Sequence, residues 1–355
     1  MREISIDELQ VGFCLSKDIY NDLGNIILAQ GTEIQLRHIE YFRSHGIEYV
    51  FLDDIDDDNM RRAGVRITTN ERYIELNSSY AQALDSFKTL YLQIQNRSYD
   101  LSFKELEADI KPLVNTAISD NDILTTMRML SFSESYHFTH AVNVSMFASM
   151  LGKWLGLSLN DIYMVAMAGL LHDIGKTQVP QELLFKTGAL ETYELASVKD
   201  HAVLGYELLK NHADIPREVL AAVLFHHERS DGSGYPKGLR EEQTPYLARI
   251  IGVVDVFDAV TSDRFYKKAV SSFKAFNIMK DESFRGLDPK ITDVFMSNIA
   301  SFFINNQVKL NDGRIGEVIY VNKFALNRPL LKIGESFVDL SSDYSLDIDE
   351  VLNKK

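Results

Sequence analysis

A single cysteine, Cys14, stands in a chain of 355 residues. That scarcity excludes an internal disulfide framework and any zinc site built on thiolates, and Cys14 itself reads as a small core residue. Basic residues are also short. The 37 Lys and Arg face 51 Asp and Glu, for a formal net charge of -14. A surface so acidic argues against binding DNA or RNA duplexes, which calls for a basic face. An anionic substrate would need local help from metal ions and a few placed Lys or Arg. No apolar run approaches the roughly 20 residues that span a bilayer. The opening Met1-Arg2-Glu3-Ile4-Ser5-Ile6-Asp7-Glu8 carries acids where a secretory signal has its apolar stretch. A cytoplasmic protein without membrane insertion is expected.

What is present is an ordinary globular composition, 45% hydrophobic, long enough for two or three domains. Residues 1–55 read as a small α+β module. Strands are expected over Phe13–Ile19, Ile26–Ala29 and Tyr49–Leu52. A helix from Ile34 to His45 is expected behind a Thr32/Gln35 capping box, with Gly46 as its C-cap. The acidic run Asp53 to Asp58 reads as a solvated linker. Residues 56–129 form a linker and helical region. Its stripe Tyr73, Leu76, Tyr80, Leu84, Phe87 and Tyr91 recurs at helical spacing; burial in a core is the default reading, and the seam of a homodimer is the other. Residues 130–305 carry long helical runs without strand alternation, so an all-α domain is predicted. Asp288-Pro289 opens its last helix, running to about Phe303. Residues 306–355 read as a β-rich appendage with a hairpin turning at Asn311-Asp312-Gly313. The fold class is therefore mainly α with a small module at each end.

Seven of the nine histidines fall between positions 137 and 227, inside the helical domain. A helical bundle builds sites by projecting side chains from facing helices. Imidazole with carboxylate suits Fe, Mn, Zn or Ni better than Mg or Ca. Paired ions of that kind, about 3.5–4 Å apart, suit metal-assisted hydrolysis of a phosphoryl group. His172 and Asp173 end an apolar helix closed by Gly175, and a buried Asp173 needs compensation from a metal or from Lys176. His140 opens another helix. His201 lies inside the helical run Leu190–Leu209, while His212 sits in a polar loop and reads as surface, and His38 and His45 lie on the first module's helix without acidic or histidine neighbours at ligand spacing. His226 and His227 diverge by about 100° on a helix, so they straddle two ions or else divide into one ligand and one core histidine. Asp255 and Asp258, three apart on the apolar helix Val253–Ala259, share one side; metal ligation and structural salt bridges are both open for them. Gly232 and Gly234 permit a sharp turn and a close approach to a ligand.

Two stretches carry a resemblance: Leu171-His172-Asp173-Ile174-Gly175-Lys176, and, about fifty residues on, His226-His227-Glu228-Arg229-Ser230-Asp231-Gly232-Ser233-Gly234-Tyr235-Pro236. Together they resemble the HD-GYP family of HD-domain phosphohydrolases, over roughly residues 130–290. The resemblance implies an all-helical metallo-phosphodiesterase that opens cyclic di-GMP to pGpG, and on to GMP, by attack of a metal-bridging hydroxide on phosphorus. It makes His140, His172, Asp173, His201, His226, His227 and Asp255 the metal ligands, with Asp173 bridging. Lys176 becomes a catalytic contact to phosphate or water. Asp231, Tyr235 and Asp258 shape the substrate pocket, with an orienting role as the other reading for Asp258. Arg264 and Lys267 hold substrate phosphate; a solvated basic turn is the bland reading for that pair. His137 is at most an assistant. Relatives with three metals carry a Glu one turn before the first ligand; Tyr136 stands there and Glu134 is out of register, so two ions are expected, Fe or Mn ahead of Zn or Ni. Asn143 replaces an Arg common in the family. A signalling role follows from the substrate. The alternatives are a catalytically weak cyclic di-GMP sensor, a hydrolase of another nucleotide, or a purely structural helical protein.

Overall fold

The computed structural model describes residues 68–96, 102–119, 136–186, 188–262 and 272–352, together with parts of 2–52. It divides into two compact units, Met1–Glu71 and Arg72–Lys355. In the first, β1 (Arg2–Ser5) pairs antiparallel with β4 (Tyr49–Leu52), and β2 (Ile19–Tyr20) with β3 (Ile26–Leu28). Alternation sends Ile4, Val50 and Leu52 inward, where they join Leu15, Ile34, Ile39 and Phe42 in a core of their own. The first strand was not foreseen, and the expected strand through Phe13 is reduced to a single bridge between Leu15 and Leu52. Cys14, His45, Gly46 and Gln35 lie outside the described residues.

The second unit opens with α1 (Thr68–Gln95) and α2 (Phe103–Ser119). Leu76, Tyr80 and Phe87 are buried in this unit's own core, with Leu84 and Tyr91 packed against it. The stripe on α1 is thus a core face. Then follow α3 (Tyr136–Trp154), α4 (Leu159–Leu171), a 3-10 turn at Ile174–Gln178, α5 (Gln181–Leu184), α6 (Thr192–Lys199), α7 (His201–Leu209) and α8 (Arg217–Phe225). The unit continues with α9 (Tyr246–Thr261), α10 (Ser272–Phe284) and α11 (Pro289–Ser301). Ser158 caps α4 by accepting from the Asp161 amide, and Asp288 caps α11 by accepting from the Lys290 and Ile291 amides, with Pro289 at the first helical position. The continuous helix foreseen over Leu190–Leu209 is instead two helices. They meet at Asp200, which leaves His201 as the first residue of α7.

The mainly helical class holds. Behind the helices stands an antiparallel five-stranded sheet in the order β8-β7-β6-β5-β9. Its strands are β5 (Gln307–Leu310), β6 (Ile315–Asn322), β7 (Ala325–Ile333), β8 (Ser336–Asp339) and β9 (Ile348–Leu352). Val308, Leu310, Val318, Leu331 and Ile348 share one core with Phe273, Phe295 and Phe303 of the helical part. The sheet is therefore a wall of the second unit. No described helix is long and apolar enough to cross a membrane.

Candidate metal centre

Five helices deliver residues to one buried spot, four from at or near an end and one from its middle. His140 comes from the first turns of α3, and His172 caps the C-terminus of α4, with Asp173 next. His201 begins α7, His226 caps α8 with His227 following, and Asp255 projects from α9. The ligand atoms form two groups. Asp173, His201, His226 and His227 make one, and His140, His172 and Asp255 the other, with the atoms of each group within 4.8 Å of one another. Asp173 faces both. Its Oδ1 lies 3.3 Å from His201 Nε2, and its Oδ2 lies 3.3 Å from His172 Nε2 and 3.6 Å from His140 Nε2. Asp255 Oδ1 lies 3.2 Å from His140 Nε2 and 3.9 Å from His172 Nε2.

Local backbone chemistry orients the rings. The last carbonyls of a helix lack partners within it. The Nδ1 of His172 meets Gly169 O at 2.7 Å, that of His201 meets Val198 O at 2.7 Å, and that of His226 meets Val223 O at 2.8 Å. Each bond runs three residues back. It requires the proton on Nδ1 and so leaves the Nε2 lone pair facing the centre. His140 reaches the same tautomer through a carboxylate, with Nδ1 2.7 Å from Asp258 Oδ2. Two imidazoles directed at each other, His201 and His226 with Nε2 atoms 3.3 Å apart, share no proton in that tautomer. His172 Nε2 and Asp173 Oδ1 are buried without a hydrogen bond. A buried polar atom left so is costly. A divalent cation between these lone pairs would satisfy them, so the donor set fits a pair of transition-metal ions.

Electrostatics agree. Burial is the main cause that lowers the His226 and His227 pKa values, aided by the neighbouring imidazoles, and His227 is pushed to about 3. Burial also lowers that of His201. Neutral imidazole is the form that binds metal. Burial opposes charge on Asp173 too, but Lys176 and the facing histidines outweigh it and hold the carboxyl well below its usual range. Asp255 is held low in the same way, by His140 above all. His140 is the exception: hydrogen bonds to Asp255 and Asp258 overcome its burial and raise it to about 9.

The glycine-rich loop closes over this centre. A Cβ on Gly234 would sit 2.4 Å from the Arg229 amide and 2.5 Å from His227 O. The close approach that glycine permits is thus to the loop's own backbone. Tyr235 lies stacked on His227, centroids 4.6 Å apart, under the ammonium of Lys199 at 5.1 Å. Lys176 hydrogen-bonds Asp173 and keeps part of its side chain in solvent. Asp231 is exposed, and its carboxylate is used by the amide and hydroxyl of Ser233 in a local turn. Asp258 is fully buried behind His140 and accepts from Asn143, His140 and Ser262. Of the two roles expected of Asp258, these partners are the ones an orienting residue would have. His137 packs its ring on Phe185, and His212 packs on Phe103. Arg264, Lys267 and Glu134 lie outside the described residues.

Three residues were passed over. Glu228 is buried, and its two oxygens accept from the amides of Lys237 and Leu239, each at 2.7 Å. An acid directly after His-His, heading a loop of exposed amides, was the available signal. Asn143 and Tyr80 complete the hydrogen bonding behind His140. Tyr80 stood out only as a stripe residue and Asn143 only as a family departure; their hydrogen bonds reach partners 63 and 115 residues away.

Residues 124–291 match the family model described as "HD domain". A relative from Pseudomonas aeruginosa, named cyclic di-GMP phosphodiesterase PA4108, is 36% identical over 213 residues, covering 60% of this chain and 51% of that protein. A second, from Vibrio cholerae, named 3'3'-cGAMP-specific phosphodiesterase 1, is 34% identical over 179 residues, covering 47% of this chain and 39% of that one. The chain thus spans about half the length of these relatives or less. Among solved structures, Bd1817, an HDG"Y"P protein of Bdellovibrio bacteriovorus, superposes with a TM-score of 0.56 over 83% of this chain and 97% of its own, at 17% identity, which is a likeness of fold. With its His-Asp turn, its Gly-Tyr-Pro loop and the helices that bring them together, this chain carries an HD domain over residues 124–291.

Proposed function

We propose that the chain is a metal-dependent phosphodiesterase of cyclic dinucleotides, that its substrate is cyclic di-GMP, and that its product is pGpG, with GMP as the alternative end product. One observation carries this reading: seven ligand side chains from five helices converge as two facing groups with Asp173 turned to both. That geometry suits a pair of ions. His201, His226, His227 and one oxygen of Asp173 would hold the first; His140, His172, Asp255 and the other oxygen would hold the second. Imidazole with carboxylate admits iron, manganese, zinc or nickel, and the family resemblance puts iron or manganese first. Bound here, such ions would supply Lewis acidity to phosphoryl oxygen and to water.

The remaining work falls to the chain itself. Lys176, at the solvent edge of the centre, would offset charge on the phosphate, helped by Arg264 and Lys267. Tyr235, held flat on His227, offers a ring against which substrate packs, and Asp231 keeps the turn before it. The names of the relatives support the class of substrate, and they divide between cyclic di-GMP and 3'3'-cGAMP. On this reading residues 130–305 are the catalytic domain, 56–129 lead into it, and 1–55 and 306–355 are accessory modules of a cytoplasmic signalling enzyme.

The test is hydrolysis of cyclic di-GMP and, separately, of 3'3'-cGAMP by protein purified anaerobically with Fe or Mn. A His172→Ala/Asp173→Ala variant runs beside it. Turnover of cyclic di-GMP to pGpG that vanishes in the variant supports the proposal. Turnover of the mixed dinucleotide alone would change the substrate. Binding without turnover would make the chain a sensor.

A further inference from the structure

Behind His140 runs a chain of buried hydrogen bonds that leaves the segment matched by the family model. Asp258 Oδ2 takes the Nδ1 proton of His140. Asp258 Oδ1 accepts from Asn143 Nδ2 at 2.8 Å and from the Ser262 hydroxyl at 3.0 Å. Asn143 Oδ1 in turn accepts from the Tyr80 hydroxyl at 2.7 Å. Tyr80 lies on α1, 63 residues before Asn143 and outside residues 124–291. His140, Asn143, Asp258 and Tyr80 are all buried, with no more than 8% of any of them exposed.

The directions along this chain follow from the donors available. A phenol in such a place stays protonated, since burial and then the charge of Asp258 raise its pKa. It can therefore give its proton only to the oxygen of the Asn143 amide. That fixes the amide with its NH2 towards Asp258. Were the amide turned over, its oxygen would face a buried carboxylate, and two acceptors would meet with no proton between them. With the amide fixed, Asp258 keeps one oxygen for His140, and His140 keeps its Nε2 turned to Asp173 and Asp255.

We infer that Tyr80 is a positioning residue for His140, acting through Asn143 and Asp258 to hold the imidazole in its ligating tautomer and direction. The inference rests on the reading of His140 as a metal ligand given above. It adds a contribution from a helix outside the segment that the family model matches.

The conservative test is Tyr80→Phe, which keeps the ring in the core and deletes one proton donor. Direct partners of metal-bound histidines are worth about 10–100-fold in metal affinity. One step further out, Tyr80→Phe is expected to weaken Mn2+ binding about threefold to tenfold by calorimetry. Asn143→Ala should weaken it more, and the Tyr80→Phe/Asn143→Ala double variant should bind as Asn143→Ala does, since the tyrosine then has nothing to orient. Independent additive losses, or full Mn2+ affinity in Tyr80→Phe, would overturn the inference. A second readout needs no metal. In metal-free protein with 15N-labelled histidine, the Nδ1 proton resonance of His140, assigned by its loss in His140→Ala, should move in Tyr80→Phe although the two side chains do not touch. An unmoved resonance would refute the relay. A moved one alongside wild-type protein that takes up no Mn2+ would sink the metal reading and leave the relay standing.

Discussion

Gly175 and His201 meet backbone to backbone. A Cβ on Gly175 would lie 1.9 Å from the His201 carbonyl oxygen and 2.4 Å from the Gly205 amide. No rotamer change relieves such a clash, because both neighbours are main chain. The turn that carries His172 and Asp173 is thereby seated directly on the helix that carries His201. Gly175→Ala must push the two apart, and overpacking of this kind costs about 1–3 kcal/mol. We expect a lower melting temperature and, measured by elemental analysis, loss of metal held between Asp173 and His201. A variant that keeps its full metal content would show that the seating is not what sets the ligand spacing.

Glu228 is the anchor of the loop that presents Tyr235. Both carboxylate oxygens are spent on amides of Lys237 and Leu239. Hydrogen bonds to a charged group contribute about 1.5–3 kcal/mol each when removal leaves the partner unpaired. Glu228→Gln retains one acceptor and puts an NH2 against an amide proton. The loop should loosen without loss of the ligands, so KM for the dinucleotide should rise more than kcat falls. Steady-state kinetics decide it; a fall in kcat alone would place Glu228 in the reaction itself.

Without metal, the centre should be least stable at the extremes of pH, and for opposite reasons. His227 titrates near 3 in the folded chain against an ordinary 6.5, and His201 and His226 are lowered as well. The unfolded chain then takes protons that the folded one refuses, so stability is lost as pH falls from 6.5 towards 3. His140 is raised to about 9. Its contribution is complete below 6.5 and is lost as pH rises from there through 9. Denaturant melts of chelated protein should show stability falling on both sides of pH 6.5. In His140→Gln the alkaline fall should shrink, and an alkaline fall of unchanged size would assign it to other groups.

The residues of the two facing groups were legible because they stand in local patterns: His-Asp at a helix end, His-His-Glu before a glycine turn, two acids three apart. Two histidines set apart by context, His212 by its polar loop and His137 by its family register, lie outside the two facing groups, though His212 is half-buried against Phe103 rather than on the surface. The break at Asp200 was not legible, because apolar spacing runs on through Leu190–Leu209. Strand β9 was hidden by the acids Asp349 and Glu350, which face out while Ile348 turns in. Strand β1 is four residues long and finds its partner far along the chain, from Ser5 against Tyr49 to Arg2 against Leu52. The relay behind His140 joins positions 63 and 115 residues apart. Such pairings are fixed by how the helices pack, which a one-dimensional pattern does not contain.

Two histidines eleven residues apart provide the contrast that separates ligation from packing. His201 is buried with Nε2 3.3 Å from Asp173 Oδ1, and its removal leaves a carboxylate without one of the groups that offset its charge. His212 sits edge-on to Phe103, ring centroids 4.7 Å apart, and faces none of the ligands. An aromatic edge contact is worth about 0.5–1.5 kcal/mol beyond its buried area. His212→Ala should therefore lower the melting temperature slightly and leave metal content and turnover as they are. His201→Ala should lose metal from the group it shares with His226 and His227, and turnover with it. Elemental analysis of the two variants in parallel checks both. Metal loss in His212→Ala would mean that α7 is held in place by its far end, through Phe103, and that ligation depends on packing well beyond the centre.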